Sequence, residues 1–271
     1  MTVLVTNDDG VSSPGLHALV RALVDDGHDV VVAAPDRDMS GSGAAIGRIH
    51  LDEHIDAQPV ELPGLPGTRA YAVDGPPGLC VLAARLGGFG DPPDVVVSGI
   101  NPGCNTGRAV LHSGTVGAAL TAANFGCRGL AVSIDVPSRP AGGGAPTPLH
   151  WETAAAAAAG TLGWLAASPA GTVLNLNVPD LPPERLAGAR AATLAPFGTV
   201  RSAVVESAAD GGGRLQMELR PTNDELPPDC DTALVQAGFV AVSAVTGVQI
   251  DRTVDVSEVL RAVVAEARRT A

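Results

Sequence analysis

The sequence predicts a doubly wound α/β fold with a mostly parallel sheet, on three observations. Short apolar runs rich in valine and isoleucine recur along the first two thirds of the chain, stretches with helical spacing stand between them, and several of those stretches stop at a glycine. Near-continuous apolar strands belong to parallel sheets covered on both faces. Their alternation with helices, wound through right-handed crossovers, builds a Rossmann-like layer structure.

Taken in order, Val3–Val5 predicts the first strand, followed by a helix over Leu16–Val24 that stops at Gly27. Val30–Ala34 and Ala70–Val73 predict the next two strands, and Leu79–Leu86 a second helix before Gly87. Val95–Val97 precedes a helix over Val116–Phe125 that ends at Gly126. Leu130–Ile134, a helix over Thr153–Ala167 and a last strand at Val173–Val178 complete the series. Glycine is the residue most often found just past a helix end, which is why it serves as the stop signal.

Two stretches break the pattern. Pro137 to Pro148, PSRPAGGGAPTP, predicts a surface loop or lid within a domain, because alternation resumes after it. From about Arg190, TVRSAVVES and RLQMELRP flank AADGGG and predict a β-hairpin extension, followed by FVAVSAV and a final helix near Ser257–Arg268. Residues 1–271 are therefore expected to form a single α/β domain, with 190–250 as a hairpin or oligomerisation segment. A plain extension of a mixed sheet is the other reading of that segment.

A chain of 271 residues that is 45% hydrophobic can bury about three quarters of its unfolded surface, enough for one large core. Its 17 basic and 29 acidic residues leave a net charge of −12, which repels polyanions and argues against a nucleic acid polymer as partner. Every basic residue is arginine, so P-loop, Schiff-base and general-base lysines are excluded. Four separated cysteines without a C-x-x-C pair read as buried free thiols. With no basic-then-apolar leader and no 18-residue apolar run, the expectation is a cytoplasmic protein that does not cross a membrane.

Ligands of open α/β sheets bind beyond the carboxyl ends of the strands, so the residues at those ends carry the functional argument. Asn7, Asp8 and Asp9 follow the first run, and APDRDMSGSG with Ser40 follows the second. SGINPGCNTG, with Asn101 and Asn105, follows Val95–Val97, and HSGTVGAAL comes next. These are almost all oxygen donors, the set preferred by hard divalent cations such as Mg²⁺, Mn²⁺ or Ca²⁺. Two carboxylates ~4 Å apart repel by about 4 kcal/mol at an effective dielectric near 20, and a cation between them reverses the sign. The alternative is that Asp8 or Asp9 caps the helix starting near Pro14. Ser113-Gly114-Thr115 at a helix start reads either as a phosphate cradle or as a plain N-cap. His112 beside it either contacts an anion or leaving group or packs, and His50 with His54 reads as surface.

VTNDDGVSSPG, APDRDMSGSG, VVSGINPGCNTG and HSGTVGAAL, in this order and spacing, resemble the signature blocks of the SurE (survival protein E) family of metal-dependent nucleotidases. The resemblance implies hydrolysis of nucleoside monophosphates to nucleoside and phosphate, by in-line attack of water activated by one Mg²⁺ or Mn²⁺ per subunit. It matches Asp8, Asp9, Ser40 and Asn101 to metal ligands, with Asp8 and Asp9 catalytic, and Asn105, Ser113, Gly114 and Thr115 to positions around the phosphate. It also implies a homodimer or homotetramer built partly through C-terminal extensions. Two departures stand near the site: DGPPGLC (Asp74–Cys80) replaces a Gly-Thr-Pro-Ala-Asp-Cys segment, and His112 replaces a tyrosine. A specialised non-nucleotide phosphomonoester as substrate, or a non-catalytic nucleotide-binding protein, are the alternatives. Adjacent aspartates without lysine speak against a haloacid-dehalogenase-type phosphatase, and no G-x-S-x-G motif supports a serine hydrolase.

Overall fold

The computed structural model describes residues 1–47, 54–136, 148–196, 200–206, 216–221 and 225–259. The strands, in chain order, are β1 (Thr2–Thr6), β2 (Asp29–Pro35), β3 (Ala57–Pro59), β4 (Arg69–Val73), β5 (Val95–Pro102), β6 (Arg128–Ile134), β7 (Val173–Val178), β8 (Gly188–Ala191), β9 (Val200–Glu206), β10 (Gln216–Pro221) and β11 (Phe239–Val245). The helices are α1 (Pro14–Asp25), α2 (Pro77–Arg85), α3 (Gly114–Asn124), α4 (Trp151–Ala167) and the short α5 (Asp231–Gln236).

Nine strands form one sheet in the order β3-β4-β2-β1-β5-β6-β7-β11-β8. The stretch from β4 to β7 is parallel throughout, whereas β3 and β11 join antiparallel to β4 and β7. Side chains alternate across the sheet with period two. Val3 and Val5 therefore face Leu16, Leu19 and Leu23 of α1 and Leu162 and Leu165 of α4, while Leu4 faces Cys80 and Val81 of α2 and Ala118 and Ala122 of α3. Burying one such leucine or valine contributes about 1.5–3 kcal/mol, so the central strands hold the layers together.

The chain winds first toward β4 and then crosses to the other side of β1 at β5. The crevice at a topological switch point thus lies beyond the carboxyl ends of β1 and β5. Immediately after β1, Ser13 caps α1 by accepting the Leu16 N–H at 3.3 Å, and Pro14 opens the helix where its missing N–H costs nothing. With Ser13 in that role, neither Asp8 nor Asp9 serves as the cap.

All six strands and four helices expected from the first two thirds of the sequence are present, and Val173–Val178 has the expected bounds. The β9–β10 hairpin also forms, as a separate two-stranded antiparallel sheet. FVAVSAV does not extend that hairpin: it enters the main sheet as β11, beside β7. β3, β8 and α5 carry no sequence signal because three, four and six residues are too few for a period to show. Burial holds the Cys80 thiol up at about 12, and all four cysteines are free. Among the described residues no helix is long and apolar enough to cross a membrane. His50, the proline-glycine loop over 137–147, the AADGGG linker and the final helix from 260 onward lie outside the described residues, and His54 is exposed.

Candidate functional site

The loops after β1, β2 and β5 and the start of α3 enclose a cleft of about 440 Å³, lined by Asp8, Asp9, Asp38, Ser40, Asn101, Asn105, His112 and Ser113 among others. Asn7 shapes the first loop, its Nδ2 donating to the Gly10 carbonyl at 3.0 Å and to Ser13 Oγ at 3.1 Å. The Met39 N–H donates to the Asp8 carbonyl at 2.7 Å, which fastens the second loop to the first.

Asp8 is almost fully buried, 3% exposed, and its Oδ1 accepts the Thr115 hydroxyl at 2.6 Å. Asp9 is only half-buried, but its Oδ2 is enclosed without a hydrogen-bond partner. Burial, then the charges of Asp8 and Asp38, push the Asp9 carboxyl up to about 7. Asp38 moves the other way, because the Ser40 hydroxyl donates to its Oδ1 at 2.6 Å and the Ser40 N–H at 2.8 Å. Asn101 commits its Nδ2 to the Gly103 carbonyl at 2.6 Å, which leaves Oδ1 as its available oxygen.

These observations test whether a divalent cation fits. An enclosed carboxylate oxygen without a partner, beside a second carboxylate and neutral oxygens from Ser40 and Asn101, is the environment that a hard cation stabilises. Among the described residues no three His, Cys, Asp or Glu side chains cluster as metal ligands. A cation here therefore draws on serine, amide and water oxygens, as Mg²⁺ and Mn²⁺ do readily.

The far wall is the start of α3. Ser113 is its N-cap, accepting the Val116 N–H at 3.1 Å, while the Gly114 and Thr115 N–H groups belong to the first turn and have no acceptor within the helix. Such N–H groups, at the positive end of the helix dipole, are a ready anion site. Gly114 is required by contact: a Cβ there would lie 2.7 Å from Asp8 Oδ2 and 2.6 Å from Ser42 Oγ. Gly114→Ala is expected to cut turnover by ~100-fold and stability by about 1–3 kcal/mol through overpacking. Steady-state assays beside urea melts check both.

Asn105 donates its N–H to Asn177 Oδ1 at 2.8 Å and its Nδ2 to Ser133 Oγ at 2.9 Å. A serine hydroxyl donates as well as it accepts, so the same contact holds with the amide turned over and Nδ2 presented to the cleft. His112 is exposed and lines the cleft, so it does not pack into the core.

A family model described as Survival protein SurE matches residues 3–199. The chain belongs to the SurE family. A 5'-nucleotidase SurE from Xylella fastidiosa (strain M12) is 37% identical over 257 residues, covering 93% of this chain and 91% of that protein. Another, from Xanthomonas campestris pv. campestris (strain B100), is 42% identical over 183 residues, 67% of this chain and 64% of that protein. The crystal structure of the SurE protein from Aquifex aeolicus superposes with a TM-score of 0.76 at 26% identity, covering 97% of this chain and 99% of that one.

Within this SurE fold, all the residues singled out from the sequence, Asp8, Asp9, Ser40, Asn101, Asn105, Ser113, Gly114 and Thr115, gather at the carboxyl end of the sheet around this cleft. Thr115 differs from expectation in detail, since its hydroxyl is turned to Asp8. Asp38 was not singled out, although its D-x-S spacing to Ser40 is a common side-chain turn signal. Asn175, Asn177 and Ser133, which hold Asn105, sit inside apolar strands and gave no signal of a shared role.

Proposed function

We propose that the chain is a metal-dependent phosphomonoesterase that hydrolyses nucleoside monophosphates to nucleoside and phosphate. The observation that carries this reading is the Asp8–Asp9 pair: the Asp9 carboxylate is poorly stabilised as an anion, and Asp8 beside it lies against a helix N-terminus suited to phosphate. The relatives named 5'-nucleotidase support the substrate class.

Asp8, Asp9, Ser40 and Asn101 are the residues that would hold one Mg²⁺ or Mn²⁺. When bound, such an ion supplies Lewis acidity, acidifying water and offsetting charge on the phosphoryl group during in-line displacement. Asp8 and Asp9 are the catalytic carboxylates, and Thr115 fixes the rotamer of Asp8. The Gly114 and Thr115 N–H groups hold phosphate oxygens, the Ser113 hydroxyl keeps that turn open while donating toward the anion, and Asn105 closes the opposite side. His112, at the mouth, meets the leaving-group side. The same reading takes the protein as a cytoplasmic homodimer or homotetramer. One domain spans 1–271, and the 190–250 segment with its β9–β10 ribbon supplies subunit contacts.

Phosphate release from a panel of nucleoside monophosphates and p-nitrophenyl phosphate tests this. Thorough chelation is expected to lower release by more than ~100-fold, with recovery on adding Mn²⁺ or Mg²⁺. Release that survives metal removal would sink the mechanism, and nucleotide binding without release would favour a non-catalytic protein.

A further inference from the structure

Asp231 opens α5 and is fully enclosed, with 0% exposure. Its Oδ2 accepts the Gly107 N–H at 2.8 Å. Its Oδ1 accepts the Ala195 N–H at 3.0 Å, the Thr232 N–H at 2.8 Å and the Thr232 hydroxyl at 3.4 Å. A carboxylate in a closed interior is tolerable only when donors occupy its lone pairs, and these four do so. Gly107 lies 124 positions and Ala195 36 positions from it in sequence, so a single side chain joins three distant parts of the fold.

What it holds is the turn that carries Asn105. Upstream, the Asn105 carbonyl accepts Nδ2 of Asn175 at 2.9 Å and of Asn177 at 3.1 Å, so β7 clamps that half of the turn. Downstream, the clamp is Asp231. Gly107, at φ 55°, packs so closely on its neighbour that a Cβ would lie 2.8 Å from the Ala195 carbonyl oxygen. Residue 231 also lies beyond the region matched by the family model, which ends at 199.

We propose that Asp231 is a positioning residue: a carboxylate from the C-terminal part of the chain that fixes the Asn105–Gly107 turn and with it one wall of the phosphate site. The assignment rests on the reading of Asn105 as a phosphate contact. Asp231 touches neither substrate nor cation and acts through the Gly107 backbone. An amide in its place sets N–H donors against an N–H donor, which loosens the turn.

The test compares the full wild-type chain with Asp231→Asn and Gly107→Ala, all with Mn²⁺. Gly107→Ala displaces the turn while leaving the carboxylate intact, so it carries the test should Asp231→Asn not fold. In both variants KM for p-nitrophenyl phosphate and the inhibition constant of inorganic phosphate are expected to rise together, by about tenfold, with the Mn²⁺ activation midpoint held within about twofold. Wild-type KM and phosphate inhibition in a folded variant, with only a lower Tm, would overturn the proposal. So would a Mn²⁺ midpoint that rises as far as KM, or loss of fold in both variants. Phosphate binding is measured in parallel by calorimetry. A wild type that turns over beside variants with its own constants removes this proposal alone, whereas a wild type that neither binds nor releases phosphate removes the reading of the site as well.

Discussion

Asp8→Asn is expected to lower kcat for phosphate release by roughly 10³-fold while the protein stays folded. The substitution keeps the shape of the side chain, and its Oδ1 can still accept the Thr115 hydroxyl that reaches Asp8 at 2.6 Å. The Met39 N–H to the residue 8 carbonyl, which fastens the second loop, is a backbone contact and survives unchanged. What disappears is a negative charge in an almost dry position, where an effective dielectric near 20 makes it worth several times its value in water. Thr115→Val provides the graded comparison, since it removes only the group that orients the carboxylate; a loss of about 10–100-fold is expected. Circular dichroism and urea melts run beside the assay separate loss of chemistry from loss of fold. An Asp8→Asn protein with near wild-type kcat would remove Asp8 from the chemistry.

Asp9→Asn is expected to abolish turnover and, in metal-free protein, to raise Tm by about 3–4 °C at pH 8 while changing little at pH 4. The sign follows from proton binding. Below pH ~4 the Asp9 carboxyl is protonated in both folded and unfolded chains and contributes nothing. Between ~4 and about 7 the unfolded chain has released that proton and the folded chain has not, so folded protein binds more protons and stability falls as pH rises. Above about 7 the folded state holds the anion against burial and the charges of Asp8 and Asp38, and the loss is complete. A displacement from 3.8 to about 7 corresponds to ~4 kcal/mol, which solvent screening of the half-buried side chain reduces to ~2 kcal/mol. The amide removes this cost without supplying a charge for a cation. Saturating Mn²⁺ should therefore raise the wild-type Tm at pH 8 and leave Asp9→Asn nearly unmoved. Thermal melts at pH 4, 6 and 8, with and without Mn²⁺, check the pattern. A wild-type apo protein whose Tm rises from pH 4 to 8 relative to Asp9→Asn contradicts it.

The two expectations together describe a site kept at some cost to the fold. Adjacent like charges are tolerated because the β1 loop is pinned independently of them, by Asn7 to Gly10 and Ser13 and by Ser13 to the Leu16 N–H. At Asp9, stability and chemistry therefore respond in opposite directions to one substitution.

Local pattern alone determined the wound sheet, because Val3–Val5, Val30–Ala34 and Val95–Val97 are apolar on both faces and only a covered parallel strand buries both. It also determined where chemistry gathers, since the carboxyl ends of strands converge and oxygen-bearing residues there stand out against apolar neighbours. The distinction between Asp8 and Asp9 was decided by tertiary structure. One is held by Thr115, 107 positions away, and the other is left with an enclosed, unpartnered oxygen. The roles of Ser13 as cap and of Asp38 as a like charge that destabilises the Asp9 anion emerge in the same way, as does the grip of Asp231 on Gly107. Hydrogen bonds and charge interactions depend on distance in space, and a sequence lists which groups exist without saying which of them will meet.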